Sequence, residues 1–294
     1  MFLLEFLKAV LFGIVEGITE WLPISSTGHL ILLNEFVTLN ISAEFYKMFE
    51  VVIQLGAILA VIVLFFNKLN PFSPKKSPAA KRSTWLLWAK VVVAVIPSAV
   101  LGLLLDDWFD AHFYNSIVVA AALILYGVAF IVVERRNAGK PAAIRIVDEI
   151  SWRNALLIGC FQCLALIPGT SRSGSTILGS ILLGVGRSAA AEFSFFLAIP
   201  TMFGASALKG LKYILSGVSP TGTEIMVLIV GCIVSFLVSL VAIRSLMQYV
   251  RKHSFSAFGV YRIALGILVL AYFIIVIYLA LLPPFECPIT FLFL

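Results

Sequence analysis

Charged residues are scarce in this chain, and their scarcity argues against a soluble fold. Only 12% of the 294 residues are Asp, Glu, Lys or Arg, whereas 61% are hydrophobic. A soluble globular domain carries about a quarter charged residues and close to half apolar ones. A soluble core would need more than half of this chain in one dry interior, so the composition predicts an all-α polytopic membrane protein.

Cysteine is also rare, with four residues in the chain. Cys160 and Cys163 have C-x-x-C spacing inside an apolar segment. A redox or metal pair is one interpretation, and apolar packing is the other. The formal charge of +6 is scattered over several short loops. That pattern indicates membrane orientation and predicts no nucleic-acid partner.

Six apolar runs are long enough to span a bilayer, which takes roughly 20 apolar residues. Two other regions, 2–37 and 152–184, each contain an apolar arm, a polar turn with Pro and Gly, and a second arm too short to cross. We interpret both as re-entrant hairpins, whose non-helical backbone must be covered by protein or a wet cavity. The six predicted spans are 45–66, 85–105, 115–133, 189–208, 224–243 and 256–282.

The loop charges predict a direction across the membrane. Basic residues concentrate in loops 67–82 and 134–153, whereas loop 106–114 has three Asp and no Lys or Arg. The positive-inside rule therefore places the basic loops in the cytoplasm and both termini outside. Three lysines fall on the outer side and count against this assignment, namely Lys47, Lys209 and Lys212.

The two hairpin regions align with each other, which predicts an internal repeat. Residues 13–32 match residues 159–178 without a gap, so that Glu16 falls on Gln162 and Ser25 on Ser171. Two unrelated Gly/Ser-rich turns are the alternative, but three spans follow each hairpin. Three crossings invert the second copy, so each repeat is expected to be a hairpin plus three spans, in opposite orientations. The expectation is a single membrane domain, 1–294, with ten helical segments, repeat one at 1–137, repeat two at 151–283 and an unassigned tail at 284–294.

The turn of the first hairpin carries acids, hydroxyls and a histidine. Glu16 and Glu20 have i, i+4 spacing and share one helix face. Two such carboxylates resist burial unless a cation lies between them or one is protonated. A surface helix with a wet face is the alternative. Mg²⁺ and Ca²⁺ both take oxygen ligands, so Glu16 and Glu20 are candidate metal ligands.

Pro23 should end the first arm and turn the chain. Ser26 and His29 follow that turn and are candidates for nucleophile or general acid/base. The alternative for His29, as for any lone histidine, is a packing residue. Ser25 and Thr27 are candidate phosphate-binding residues in the same turn.

The turn of the second hairpin, PGTSRSGST, supplies Arg172, the sole arginine in either hairpin turn. Its planar fork of donors suits phosphate oxygens. Gly169 and Gly174 would let backbone N–H groups approach an anion at the start of the second arm. Small residues for close helix packing are the alternative, which explains Gly and Ser but not the arginine. The other candidates are Ser171, Ser173 and Thr176 for phosphate, and Glu50, Gln54 and Glu192 for support of Arg172 or a metal.

Four stretches closely resemble the undecaprenyl-diphosphate phosphatase family, also called bacitracin-resistance proteins. They read EGITEWLPISSTGHL, FEVVIQLGAILAV, GCFQCLALIPGTSRSGST and AAEFSFFLAIPTMFGA, and the resemblance extends to about residue 275. It implies hydrolysis of undecaprenyl diphosphate to undecaprenyl phosphate and inorganic phosphate, which recycles the lipid carrier of peptidoglycan synthesis. It also implies divalent-metal dependence and a site open to the periplasmic side of the bacterial plasma (inner) membrane. The family motifs fall on Glu16, Glu20, Ser26 and His29, and on Pro168, Gly169, Ser171, Arg172, Ser173 and Thr176.

The expected mechanism combines these groups on a polyprenyl diphosphate headgroup. Glu16 and Glu20 hold the cation, and Arg172 binds the terminal phosphoryl group. Ser26 or His29 attacks or activates water, and His29 is the natural base if Ser26 is the nucleophile. The rival function is transport, because a polyprenyl-phosphate flippase would need similar groups and often has inverted repeats. Membrane lipids are the other expected partners, and a homodimer is left open.

Overall fold

The structure is a computed structural model that describes residues 2–281. Within this range the chain is almost entirely helical, with eleven α-helices joined by short connections. In chain order they are α1 (Phe2–Thr19), α2 (Ser26–Phe36), α3 (Ala43–Leu64), α4 (Phe66–Leu69), α5 (Pro78–Phe113), α6 (Ser116–Arg136), α7 (Trp152–Cys163), α8 (Arg172–Leu182), α9 (Arg187–Leu215), α10 (Gly222–Val250) and α11 (Ser256–Leu281). Single 3-10 turns lie at Val147–Glu149 and Leu164–Leu166.

Six of the described helices are long and apolar enough to cross a membrane: α3, α5, α6, α9, α10 and α11. Each corresponds to one predicted span, so the prediction of six spans is confirmed. Even the shortest, α6, with 21 residues, is about 31 Å long, slightly more than the thickness of a bilayer's hydrocarbon core. The last residue of the sixth predicted span and the tail 284–294 lie outside the described residues.

The two predicted hairpin regions each fold into a pair of helices, α1 with α2 and α7 with α8. The second arms, α2 and α8, have 11 residues each, about 16 Å of rise, which is half of what a crossing needs. α1 ends at Thr19, ahead of Pro23, which cannot continue a helix.

One helix was not among the ten predicted segments. The single turn α4 follows a bend at Phe65, and its last residue, Leu69, accepts a hydrogen bond from the Trp88 indole of α5 at 2.8 Å. This contact joins residues 19 positions apart and explains why the apolar run alone did not indicate a separate turn.

The first arm of each hairpin packs along a span of the other half of the chain. α1 packs along α10, and α7 packs along α5. Gly13 of α1 faces the carbonyl of Gly231, and one turn further Gly17 faces that of Ser235. Because both contacts advance together along the chain, α1 and α10 run in the same direction.

The corresponding spans of the two halves run in opposite directions where they meet. Between α6 and α11, Gly127 and Gly259 face each other's carbonyl oxygens, and Gly266 faces the carbonyl of Ala120. The contact moves forward along α11 as it moves backward along α6, so these helices are antiparallel.

α3 and α9, the first spans of the two halves, show the same antiparallel relation. Ser206 of α9 donates to the carbonyl of Val51 at one end of the pair. At the other end Phe65 packs edge-on against Phe196. α8, the second arm of the second hairpin, packs against α9 and α6, one helix from each antiparallel pair.

Close packing at Gly159 gives a test of this arrangement. A Cβ on Gly159 would lie 2.1 Å from the carbonyl oxygen of Ala94 in α5. We expect Gly159→Ala to force α5 and α7 apart and to destabilise the protein by about 1–3 kcal/mol, as overpacking typically does. Gly210→Ala in α9 is the matched control, because, apart from its own neighbours on α9, no atom of the described residues lies within 4 Å of the added methyl group. Thermal unfolding in detergent should separate the two variants, and equal unfolding temperatures would contradict the packing.

Candidate active site

The two hairpin turns have the same local geometry at aligned positions. Ser25 and Ser171 are the non-glycine residues with positive φ in the described chain, at 75° and 71°. Each caps the following helix, where its Oγ accepts a hydrogen bond from the backbone N–H of Gly28 or Gly174 at 3.2 and 3.1 Å. A left-handed serine is costly and persists where surrounding structure enforces it, which is typical of functional turns.

Glu20 joins the two turns. Its Oε1 lies 2.8 Å from Nη2 of Arg172 in the second hairpin, and its Oε2 accepts a hydrogen bond from the Ser26 hydroxyl at 2.7 Å. All three side chains are buried. The structure therefore brings together an acid, a hydroxyl and a guanidinium that are up to 152 residues apart.

Further hydrogen bonds hold the second turn in place. The other terminal nitrogen of Arg172, Nη1, donates to the carbonyl of Ser194 in α9 at 2.8 Å. Thr176 shares a hydrogen bond with the Ser194 hydroxyl at 2.7 Å. Ser173 donates to the carbonyl of Glu20 at 3.1 Å, so backbone as well as side chains connect the two hairpins.

One donor at this site has no partner. The Nε atom of Arg172 is buried without a hydrogen bond, although an unsatisfied buried donor is costly. The hydroxyls of Ser171 and Ser173 lie 3.1 Å apart in the same turn. An anion with several oxygens would satisfy this group of donors.

Glu16 is the complementary case, an acceptor without a partner. It is fully buried, and neither carboxylate oxygen has a hydrogen-bond partner. It lies one helical turn before Glu20, within electrostatic range of Glu20, Arg172 and Glu50. An unpaired carboxylate in such an interior is strongly disfavoured, and a cation beside it would compensate.

These residues fit a divalent cation of the kind that the sequence indicated. Glu16 and Glu20 supply carboxylate oxygens, which suit Mg²⁺ and Ca²⁺. No group of three or more His, Cys, Asp or Glu side chains arranged to hold a metal occurs in the described chain. Remaining ligands would therefore be hydroxyls, carbonyls, water or phosphate oxygens, as Mg²⁺ commonly has.

His29 lies near the site but contacts other groups. Its Nδ1 is 2.7 Å from the carbonyl of Ser25, which can only accept, so Nδ1 carries a proton. Its Nε2 is 2.7 Å from the hydroxyl of Tyr261 in α11, and the two rings are parallel. Ser26 donates to Glu20 and not to His29. In this state the acceptor of the Ser26 proton is therefore Glu20.

Arg262 is a central residue that the sequence analysis did not single out. It lies in α11, is fully buried and donates to backbone carbonyls of both turns. The acceptors are Pro23 of the first turn, at 3.0 Å, and Gly169 and Thr170 of the second, at 2.8 and 2.9 Å. An arginine inside an otherwise apolar span was the sequence signal, because intramembrane charge marks functional positions.

The predicted supporting residues separate in the structure. Glu50 accepts a hydrogen bond from the Tyr114 hydroxyl at 2.7 Å and is near Glu16. Gln54 donates to the carbonyl of Glu50 within its own helix at 3.2 Å. Glu192 lies two residues before Ser194, but its carboxylate pairs with Lys68 at 2.8 Å beside the basic loop 67–82.

The remaining two candidates occupy the edges of the turns. Thr27 is half-buried at the start of α2. Gly169 has φ 89°, and a Cβ there would lie 2.5 Å from the carbonyl of Val119 in α6. A glycine is required at this position both by its backbone conformation and by the close approach of α6.

Fold and site together define a polytopic helical membrane protein with a buried site of acid, hydroxyl and guanidinium groups. The model of the family described as bacitracin resistance protein BacA matches residues 9–268. The chain is also similar to curated proteins named undecaprenyl-diphosphatase. Its identity is 58% to the one from Limosilactobacillus fermentum, over 92% of this chain and 98% of the relative. The identity to the relative from Enterococcus faecalis is 55%, over 91% of this chain and 97% of the relative. The identity to the relative from Streptococcus suis is 56%, over 92% of this chain and 97% of the relative. The chain belongs to the BacA family, and the resemblance found in the sequence is confirmed.

Proposed function

We propose that this protein is a membrane phosphatase that hydrolyses undecaprenyl diphosphate to undecaprenyl phosphate and inorganic phosphate. It thereby returns the lipid carrier to peptidoglycan synthesis and confers resistance to bacitracin. The similar proteins above carry the name of this activity. The observation that carries the proposal is the contact of Glu20 with both the Ser26 hydroxyl and the Arg172 guanidinium.

Arg172 binds the terminal phosphoryl group in this mechanism. Its unpartnered Nε–H and the Ser171 hydroxyl are the donors that this turn offers, and the Ser173 hydroxyl, which donates to the carbonyl of Glu20, lies 3.1 Å from that of Ser171. The N-terminus of α8 begins at Arg172 and adds partial positive charge. These groups stabilise the charge that develops on the phosphoryl oxygens during transfer.

Ser26 is the nucleophile that the geometry favours. As its oxygen bonds to the terminal phosphorus, its proton passes to Glu20 Oε2, with which it is already hydrogen-bonded. The bond from phosphorus to the bridging oxygen breaks, and undecaprenyl phosphate leaves with the electron pair. Water then attacks the phosphoserine, releases inorganic phosphate and restores the Ser26 hydroxyl.

His29 is the other candidate for attack or for activation of water. It is half-buried, and its partner Tyr261 is 44% exposed, so these rings lie at the accessible side of the site. His29→Asn and Ser26→Ala separate the two roles. A phosphoenzyme that forms in the first variant and not in the second identifies Ser26 as the nucleophile.

Glu16 and Glu20 are the residues that would hold a divalent cation, Mg²⁺ or Ca²⁺. The support is the unpartnered, fully buried carboxylate of Glu16. When bound, such a cation supplies Lewis-acid neutralisation of the diphosphate oxygens. Glu50 and Gln54 support the Glu16 side of the site from α3.

The two halves of the chain are inverted repeats in this proposal. The antiparallel pairs α3 with α9 and α6 with α11 support it, as do the matching pairs α1 with α10 and α7 with α5. In this proposal the protein lies in the plasma (inner) membrane with the site open to the periplasmic side, and the basic loops, which the positive-inside rule assigns to the cytoplasm, support the orientation. Because Glu20, Ser26 and Arg172 belong to one chain, a homodimer is not needed for the chemistry.

Phosphate release in detergent tests the enzyme against the carrier. Purified protein supplied with undecaprenyl diphosphate in micelles should release inorganic phosphate, because hydrolysis needs no two compartments. A chelator should abolish the release, and Mg²⁺ or Ca²⁺ should restore it. The Ser26→Ala variant is expected to lose about 10³-fold or more in rate.

A carrier would behave differently. A flippase of polyprenyl phosphate would release no phosphate in micelles and would move labelled lipid across a vesicle membrane. That pair of results would contradict the phosphatase and favour transport.

A further inference from the structure

The two hairpins make corresponding contacts with spans of the opposite halves, and these contacts identify equivalent positions. For the first hairpin, a Cβ on Gly13 of α1 would lie 2.8 Å from the carbonyl oxygen of Gly231 in α10. For the second hairpin, a Cβ on Gly159 of α7 would lie 2.1 Å from that of Ala94 in α5. Gly13 aligns with Gly159, so Gly231 and Ala94 occupy equivalent places on α10 and α5.

The same register pairs two further positions. Glu16 and Gln162 lie three residues after the aligned glycines. Ser235 and Ser98 lie four residues, about one helical turn, after Gly231 and Ala94. The two first arms run parallel to their partner spans, so each acid or amide is expected to face the serine of its own pair.

In the pair of the second hairpin, Gln162 with Ser98, the two side chains are hydrogen-bonded to each other. The side-chain amide Nε2 of Gln162 donates to the Ser98 hydroxyl at 2.6 Å and lies 3.2 Å from the Thr201 hydroxyl. Gln162 and Ser98 are buried. A neutral amide that both donates and accepts completes this contact without any other group.

In the corresponding pair of the first hairpin, Glu16 with Ser235, neither side chain has a hydrogen-bond partner. Ser235 is fully buried and its hydroxyl has no partner, as is the case for both oxygens of Glu16. The two belong to the same region, because Glu16 is within electrostatic range of Cys232, one turn before Ser235 in α10. The Ser235 hydroxyl could donate to a carboxylate, but no hydrogen bond joins the two side chains, so the oxygens of both remain open to a further ligand.

A cation fits this place better than water does. The Glu16 carboxylate interacts electrostatically with two further carboxylates, those of Glu20 and Glu50, and with one guanidinium, that of Arg172. Water could supply hydrogen bonds, but it would leave the excess negative charge in place. A divalent cation offsets that charge and also accepts hydroxyl oxygens as ligands.

We propose that the Ser235 hydroxyl is a ligand of the divalent cation held by Glu16 and Glu20. This inference rests on the cation of the proposed function and adds a span of the second half to its ligands. Cation binding would then join α1 to α10, which pack along each other. The chemical class of the ligand is a hard, oxygen-seeking cation such as Mg²⁺ or Ca²⁺.

Cation-dependent thermal unfolding tests the proposal without relying on activity. Purified protein in detergent is titrated with MgCl₂ or CaCl₂ after treatment with a chelator, and the rise in unfolding temperature gives the affinity. Ser235→Ala is expected to weaken cation affinity about tenfold or more, the range found for groups that support a metal site. Ser98→Ala is the equivalent change at the second hairpin, where it removes the hydrogen bond from Gln162. It should lower the cation-free unfolding temperature and leave the cation affinity unchanged.

Glu16→Gln provides the second variant. Its amide can donate to Ser235 as Gln162 donates to Ser98, so the cation-free unfolding temperature should rise, while the response to cation disappears. A fall in the cation-free unfolding temperature of this variant would contradict the pairing of Glu16 with Ser235.

The outcomes separate this inference from the proposed function. If wild type and Ser235→Ala bind the cation equally while Glu16→Gln does not, Ser235 is not a ligand and the Glu16 site stands. If wild type shows no response to either cation, both metal assignments fail, and phosphate release in micelles still decides whether the protein is a phosphatase.

Discussion

Glu20→Gln should lower the rate of phosphate release about 10³-fold or more while the protein remains folded, because proton acceptance contributes a factor of about 10²–10⁴ and charge stabilisation a factor of about 10²–10³. Glutamine has the same shape as glutamate but no charge. It therefore weakens both the acceptor of the Ser26 proton and the ion pair with Arg172. The measurement is inorganic phosphate release in detergent, combined with size-exclusion chromatography and thermal unfolding.

Glu192→Gln is the matched control for this result. Glu192 lies in the adjacent part of α9, but its carboxylate pairs with Lys68 and not with Arg172. We expect this variant to retain activity within a few-fold of wild type. Activity of Glu20→Gln equal to that of Glu192→Gln would remove Glu20 from the mechanism.

Arg262→Met should reduce both stability and activity, since it withdraws the donors from three buried carbonyl groups. The acceptors belong to Pro23, Gly169 and Thr170, at the turns of both hairpins. Each unsatisfied buried acceptor costs about 1–3 kcal/mol, so we expect a loss of about 3 kcal/mol or more in the free energy of unfolding. The turns would also shift relative to each other, and kcat should fall at least about 100-fold, because small misplacements of reacting groups have effects of this size.

Two further variants show whether the loss comes from positioning. Arg262→Lys retains the charge but not the fork of donors, so it can hold one turn at a time and should recover part of kcat. Arg244→Met in α10 removes an exposed arginine and should leave kcat and the unfolding temperature close to wild type. An Arg262→Met protein with normal kcat and a merely lower unfolding temperature would restrict Arg262 to a structural role.

The helices could be predicted because hydropathy and chain length determine them. The apolar runs at 45–66 and 224–243 contain no proline and match α3 and α10 within a few residues at most boundaries. The short arms α2 and α8 followed from their length, since about ten residues cannot cross a bilayer. α4 could not be predicted, because its turn is held by Trp88 from another helix.

The members of the site could be predicted, but not their partners. Glu20, Ser26 and Arg172 were recognisable as ionisable or nucleophilic groups in apolar surroundings. Their hydrogen bonds join residues up to 152 positions apart and depend on how the helices pack. Likewise, nothing local to His29 indicated that Tyr261, 232 residues away, would bind its ring.

Arg262 contacts both turns through main-chain oxygen alone. These hydrogen bonds do not depend on which side chains the turns carry. The hydroxyl, carboxylate and guanidinium groups of the turns can therefore exchange partners without breaking them. The headgroup can thus arrive, react and depart while the scaffold that frames it keeps its shape.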